Sequence, residues 1–191
     1  MTIEDSDALI VVDVQVDFCP GGALAVTGGN EIVPVINRLA PRFQCHVYTR
    51  DWHPADHCCF SETPQWVDGS WPRHCVRDTP GAAFHPDLAV LPGALIVSKA
   101  EHRDRDAYSG FDGTELAATL REMNIRRAFV CGLATDYCVK ATALDGVKHG
   151  FEAILIEDAC RGVDLPAGSV ARAVEEMRAA GVTKCSSGDL A

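Results

Sequence analysis

Three histidines and a carboxylate fall within a short, turn-rich part of the chain: Asp51, His53 and His57 in the run Asp51-Trp52-His53-Pro54-Ala55-Asp56-His57, and His74 beyond it. Asp51 and His53 form an i, i+2 pair that can converge from an extended or turning backbone. His57 lies one helical turn past His53, and His74 returns from a longer excursion. One carboxylate with two or three imidazoles suits zinc, iron or manganese, and a set this small leaves a coordination position for water or a substrate nitrogen. The spacing matches none of the standard zinc motifs, and histidines beside prolines and tryptophans also fit packed loop residues.

A second chemistry is suggested by Gly132-Leu133-Ala134-Thr135-Asp136-Tyr137-Cys138. Small residues after an apolar run permit a tight turn. A thiol in the first turn of the helix that follows faces unsatisfied N–H groups and the positive helix end, which favour a thiolate. The same N–H groups can receive the oxygen charge that develops when a thiolate attacks a carbonyl. A buried core thiol is the competing interpretation, and for the other eight cysteines it is the better one. Asp13 closes the apolar run Ala8–Val12, and Lys99 closes Ala94–Val97 one residue later. If the histidines hold a metal, Asp13 is the natural proton acceptor for Cys138, with Lys99 placing positive charge beside them. Taken alone, Lys99 reads as a solvated strand end.

The elements that must position these residues follow from the apolar pattern. Runs at 8–12, 45–49, 94–97, 128–131 and 153–156, with a short one at 182–185, are continuous rather than alternating, as expected of strands covered on both faces. Between them, 30–39, 114–123, 136–149 and 167–180 fit helices, with Asp112 or Thr114 as N-cap of the second and Gly150 and Gly181 as stops for the last two. The pattern predicts one three-layer α/β domain over residues 1–191. From Trp52 to about Leu91, prolines, glycines and three tryptophans replace that rhythm, which predicts an ordered insertion packed by Trp52, Trp66, Trp71 and Phe84.

A net charge of −10 without a Lys/Arg run opposes nucleic-acid binding. Nine cysteines is an odd count, and neither a signal-like N-terminus nor an apolar run of membrane-spanning length is present, so a reducing cytoplasm and no membrane association are expected. Monomer and small homo-oligomer are both compatible with the sequence.

The segments Asp13-Val14-Gln15-Val16-Asp17-Phe18, Thr49-Arg50-Asp51-Trp52-His53-Pro54, Trp71-Pro72-Arg73-His74-Cys75-Val76, Lys99 and Gly132–Val139 together resemble the nicotinamidase/pyrazinamidase branch of the isochorismatase-like cysteine hydrolases. The resemblance spans nearly the whole chain in the family order. It implies a doubly wound, mainly parallel sheet of about six strands. It further implies a catalytic triad of Asp13, Lys99 and Cys138, and metal ligands Asp51, His53 and His74, with His57 a further ligand, direct or through water. A cis peptide before Ala134 or Thr135 would turn the N–H groups of Ala134 and Cys138 into an oxyanion hole. Phe18, Leu24, Trp71, Tyr108 and Ala134 would wall a flat pocket in which the metal receives a pyridine nitrogen.

The implied activity is hydrolysis of nicotinamide to nicotinate and ammonia in NAD salvage, through a cysteine thioester, with pyrazinamide as a surrogate substrate. An N-carbamoyl amidohydrolase of the same family, and a non-catalytic protein that binds a small aromatic ligand, are the alternatives. Cys58 and Cys59, and the charged run Glu101–Asp106, depart from the family pattern and carry no assigned role.

Overall fold

A computed structural model describes residues 1–66 and 69–190. All the expected strands form, in one parallel sheet: β1 (Asp7–Val12), β2 (Cys45–Asp51), β3 (Leu95–Lys99), β4 (Arg127–Leu133), β5 (Glu152–Arg161) and β6 (Thr183–Cys185), in spatial order β3-β2-β1-β4-β5-β6. Every residue of β1 is buried, which is why its sequence is a continuous apolar run rather than an alternating one. Four helices connect the strands: α1 (Val33–Leu39), α2 (Leu116–Glu122), α3 (Lys140–Lys148) and α4 (Ser169–Ala179). The chain runs outward from β1 to β3, then crosses back past β1 to β4. This reversal of growth at β1, with helices joining the strands, gives the expected three-layer α/β fold.

The elements differ from expectation at their ends, for local reasons. Pro34 sets the first turn of α1, and residues 29–32 ahead of it form a 3₁₀ turn instead. Asp112 does not cap α2 but pairs with Arg105, while Thr114 Oγ1 accepts the Leu116 N–H at 3.3 Å. Residues 135–139 wind as a π-helical turn before α3 starts. Gly150 and Gly181 adopt φ of +88° and +97° directly after α3 and α4, as stops should. β5 continues past Ile156 because Glu157 and Asp158 are both solvent-exposed and the chain re-enters the core at Ala159 and Cys160. The β4–β5 register shifts between Val130 and Gly132 to absorb this. Gly132 has φ of +118°, and a Cβ there would run into the backbone of Val12 on β1. Only glycine lets β4 lie this close to β1 at the end that leads into Cys138.

Between β2 and β3 the described residues hold neither strand nor α-helix, only a 3₁₀ turn at Pro80–Ala82 and isolated bridges. Backbone hydrogen bonds fold this stretch back on itself. The His53 N–H donates to Cys75 O at 3.1 Å and the Arg77 N–H to His53 O at 2.8 Å, while the Trp71 N–H donates to Cys59 O at 2.7 Å. His74 is thereby returned to the neighbourhood of His53. Trp66 and Trp71 meet edge to face, Phe84 packs on Tyr48, and the Arg50 guanidinium covers the Trp52 ring. No helix among the described residues is long and apolar enough to cross a membrane.

Candidate active site

The sheet reverses its direction of growth between β1 and β4, and the side chains at issue gather at the carboxyl ends of the strands on either side of that point. Asp51 and Lys99 are direct register partners at the ends of β2 and β3. Asp13 follows β1, Cys138 follows β4, and both are buried. Asp13 and Ala100, just past the ends of β1 and β3, sit at φ of +50° and +55°. Such left-handed residues without a glycine cost on the order of 1–3 kcal/mol each and persist where the surroundings fix them.

Lys99 is not the solvated strand end that its type suggests; its side chain is fully buried and reaches every other group in the crevice. Nζ lies 2.9 Å from Asp13 Oδ2, 3.5 Å from Cys138 Sγ and 3.2 Å from Ala107 O, and it also pairs with Asp51 Oδ1. Burial opposes the charge of Lys99, but Asp13 and Asp51 outweigh it and hold the ammonium well above its usual pKa. Burial also opposes charge on Asp51. There Lys99, with His53 and His74, wins and keeps the carboxyl far below the usual carboxylate range. For Asp13 the balance goes the other way: burial, helped by Asp51, pushes it up despite Lys99 and the 2.6 Å hydrogen bond donated by Thr49 Oγ1 to Oδ1. Asp13 Oδ2 is in ion-pair contact with Lys99 yet has no well-aligned hydrogen bond, so a lone pair is left for another proton.

Cys138 belongs to the π-helical turn, and the peptide between Leu133 and Ala134, which leads into it, is cis. One donor atom each of Asp13, Asp51 and Cys138 lie within 4.8 Å of one another. The thiolate expected from the helix end is not the resting form. Burial, with Asp13 and Asp51, pushes the Cys138 thiol well above its usual pKa, against the pull of Lys99. A thiol so held reacts only if a base takes its proton, and Asp13, raised toward it, is in contact to do so.

On the far side of Lys99, Asp51 Oδ2 stands 3.5 Å from His53 Nε2 and 3.8 Å from His74 Nε2. Both ring nitrogens of His53 are buried without a hydrogen-bond partner. Two imidazole nitrogens and a carboxylate oxygen converging on one point, one of the rings otherwise orphaned, fit a divalent ion of the zinc, iron or manganese kind. His57 is not drawn into that set. Its Nδ1 is 3.0 Å from Cys59 Sγ and its Nε2 3.1 Å from Arg105 O. Burial lowers the pKa of His57 and of His74, keeping both neutral and able to donate a lone pair.

Between Cys138 and the donors opens a pocket. Phe18, Leu24, Trp71, Tyr108 and Ala134 all line it, together with Val26, Tyr137 and Val163. Trp71 meets the Tyr137 ring edge-on at 5.1 Å, and its Nε1–H donates to Tyr108 Oη at 3.0 Å, which fixes the walls of the pocket. An apolar slot with a thiol on one side and convergent metal donors on another suits a small planar ring with one polar substituent.

The isochorismatase domain model matches residues 7–189. The chain belongs to the isochorismatase family. Within the family it is 44% identical to the nicotinamidase/pyrazinamidase of Mycobacterium tuberculosis, over 92% of this chain and 96% of that one. The pyrazinamidase of Pyrococcus horikoshii, solved in complex with zinc, superposes with a TM-score of 0.86 at 46% identity, over 95% of this chain and 99% of the other. PnC1 of L. infantum, solved in complex with nicotinate, superposes with a TM-score of 0.90 at 37% identity, over 100% and 98%.

Three residues of this isochorismatase-family chain act on the site without having been singled out from sequence. Gln15 spans the gap between the strand ends and the excursion: Nε2 donates to Asp51 O and Ala82 O, each at 2.9 Å, and Oε1 accepts the Asp51 N–H at 2.8 Å. Thr49 orients Asp13 from inside β2. Asp136, next but one to Cys138, accepts the N–H groups of Val163 and Asp164 and the Ser169 hydroxyl, tying the turn to the loop after β5. Gln15 lies in a quoted motif, two residues past Asp13, which was its signal. Thr49 and Asp136 likewise lie in quoted motifs, Thr49 two residues before Asp51 and Asp136 two before Cys138, but neither had been given a role.

Proposed function

We propose that this protein is a nicotinamidase that hydrolyses nicotinamide to nicotinate and ammonia, and pyrazinamide by the same route. The observation that carries the proposal is the pocket that sets Cys138, backed by Lys99 and Asp13, across an apolar slot from the convergent donors of Asp51, His53 and His74. The nicotinate-bound and zinc-bound relatives support it.

In this account Asp51, His53 and His74 hold one divalent ion, which supplies a Lewis-acid contact for the ring nitrogen. Phe18, Leu24, Trp71, Tyr108 and Ala134 hold the ring flat and carry its carboxamide to Cys138, so the reacting atoms are oriented before reaction. Asp13 accepts the Cys138 proton and the sulfur adds to the amide carbon. Main-chain N–H groups of Ala134 and Cys138 receive the charge that develops on the carbonyl oxygen. Protonated Asp13 then gives its proton to the departing nitrogen, ammonia leaves, and a nicotinoyl thioester remains on Cys138. Re-ionised Asp13 activates water to hydrolyse the thioester, which restores the thiol. Lys99 stays charged throughout and holds Asp13, Asp51 and Cys138 in one arrangement. All nine cysteines are free, which fits action in a reducing cytoplasm.

The test is ammonia and nicotinate release from nicotinamide by the metal-replete protein. Stoichiometric release of both is expected. Absence of both, with metal bound and the fold intact, sinks nicotinamide as substrate and leaves N-carbamoyl compounds as the class to examine.

A further inference from the structure

Beside the Asp51, His53 and His74 donors stands a second group that the proposed reaction does not use. His53, His57, Cys59 and Asp106 each offer one ligand atom, and these atoms all lie within 4.8 Å of one another. His53, His57 and Cys59 are buried, at 2%, 3% and 6% exposure. The geometry assigns the His57 tautomer. A carbonyl oxygen only accepts, so Nε2, 3.1 Å from Arg105 O, carries the proton, and Nδ1 presents its lone pair to Cys59 Sγ at 3.0 Å. The two histidine rings approach with centroids 4.3 Å apart, and neither nitrogen of His53 makes a hydrogen bond. Two imidazoles, a thiol and a carboxylate form a complete four-donor set of the kind that takes zinc, and the thiol discriminates toward softer ions.

We propose that His53, His57, Cys59 and Asp106 form a thiolate-containing zinc position, distinct from the Asp51–His53–His74 position and sharing His53 with it. Since both positions need His53, the protein holds one ion across the pair. Manganese and iron(II) favour the Asp51 position, whereas zinc or cobalt(II) populates the Cys59 position. Binding there exchanges one proton for the metal: the Cys59 S–H bond breaks, an S–metal bond forms, and the proton leaves to solvent. The inference stands independently of nicotinamide as substrate, because it concerns donor atoms alone.

The experiment is zinc K-edge X-ray absorption on the Cys138→Ala protein loaded with one equivalent of zinc, so that Cys138 cannot supply the sulfur. A sulfur neighbour at about 2.3 Å is expected. Its loss in Cys59→Ser/Cys138→Ala, and the loss of the thiolate-to-cobalt charge-transfer band in the same cobalt-loaded variant, would locate that sulfur at Cys59. Bound zinc with only nitrogen and oxygen neighbours in Cys138→Ala overturns the proposal without any substitution at Cys59. Sulfur ligation that survives Cys59→Ser overturns it too, as does tight binding of two zinc ions per chain.

Discussion

On one side of Lys99 the reactive groups stand at the ends of hydrogen-bonded strands and contact one another. Asp13 is held by Thr49 and Lys99, and Cys138 is in reach of both Asp13 and Lys99. On the other side the donors come from the end of β2 and an excursion of turns and isolated bridges, and they meet around His53, whose nitrogens have no hydrogen-bond partner. The first region is complete as folded protein. The second is a set of lone pairs that a cation completes. Lys99 joins them by contacting Asp13 and Asp51 at once, so the charge of the metal region bears on the proton balance of the thiol region.

If the regions differ in this way, they should break differently. The largest effect is expected from Asp13→Asn, which removes the proton acceptor while leaving the donors in place. Steady-state kinetics should show kcat down by roughly 10²–10⁴-fold, with metal content unchanged by elemental analysis. Chelation attacks the opposite region. It should lower turnover by about 10³-fold, corresponding to about 4 kcal/mol of lost Lewis-acid contact. Alkylation of Cys138, followed by peptide mass spectrometry, should persist in the metal-free protein, because the strand-end groups do not depend on the ion for their placement.

Gln15 touches both regions, holding the Asp51 backbone at one end and Ala82 of the excursion at the other. In Gln15→Leu the affinity for metal, measured by competition with a chromophoric chelator, should fall about 10–100-fold, the range for partners that orient a ligand. Turnover at saturating metal should fall by less. The smallest effect belongs to Thr49→Val, which removes one hydrogen bond to a carboxylate. A loss of about 1.5 kcal/mol, roughly tenfold in kcat, is expected with metal affinity unchanged. Equal losses of metal affinity in both variants would erase the distinction between the regions.

The contrast also explains what was legible in the sequence. Buried parallel strands announce themselves as unbroken apolar runs, so all six strands stood out, with Asp13 and the Gly132–Cys138 turn at their ends and Lys99 legible only as a strand end. Burial did not. Nothing in the type of Lys99 distinguishes a solvated ammonium from one enclosed by two carboxylates, and the difference is a matter of register with Asp51. The protonation of Cys138 was likewise hidden: a helix end argues for a thiolate, but burial with two carboxylates nearby favours the thiol. In the excursion, composition indicated an ordered insertion with a task, yet not which donors converge. Spacing gave His53 and His57 equal standing, while the turn at 57–60 and the Arg105 carbonyl direct the His57 ring toward Cys59.

In the proposed reaction the Cys138 sulfur attacks and the donors only hold the ring. The direct measurement is ammonia release from nicotinamide by Cys138→Ala beside the wild type, with metal content and thermal unfolding matched between them. Release by the wild type is expected and, in the variant, a loss of at least about 10³-fold with metal still bound. Release by the variant at a comparable rate would contradict it and transfer the chemistry from the strand ends to the donors of the excursion.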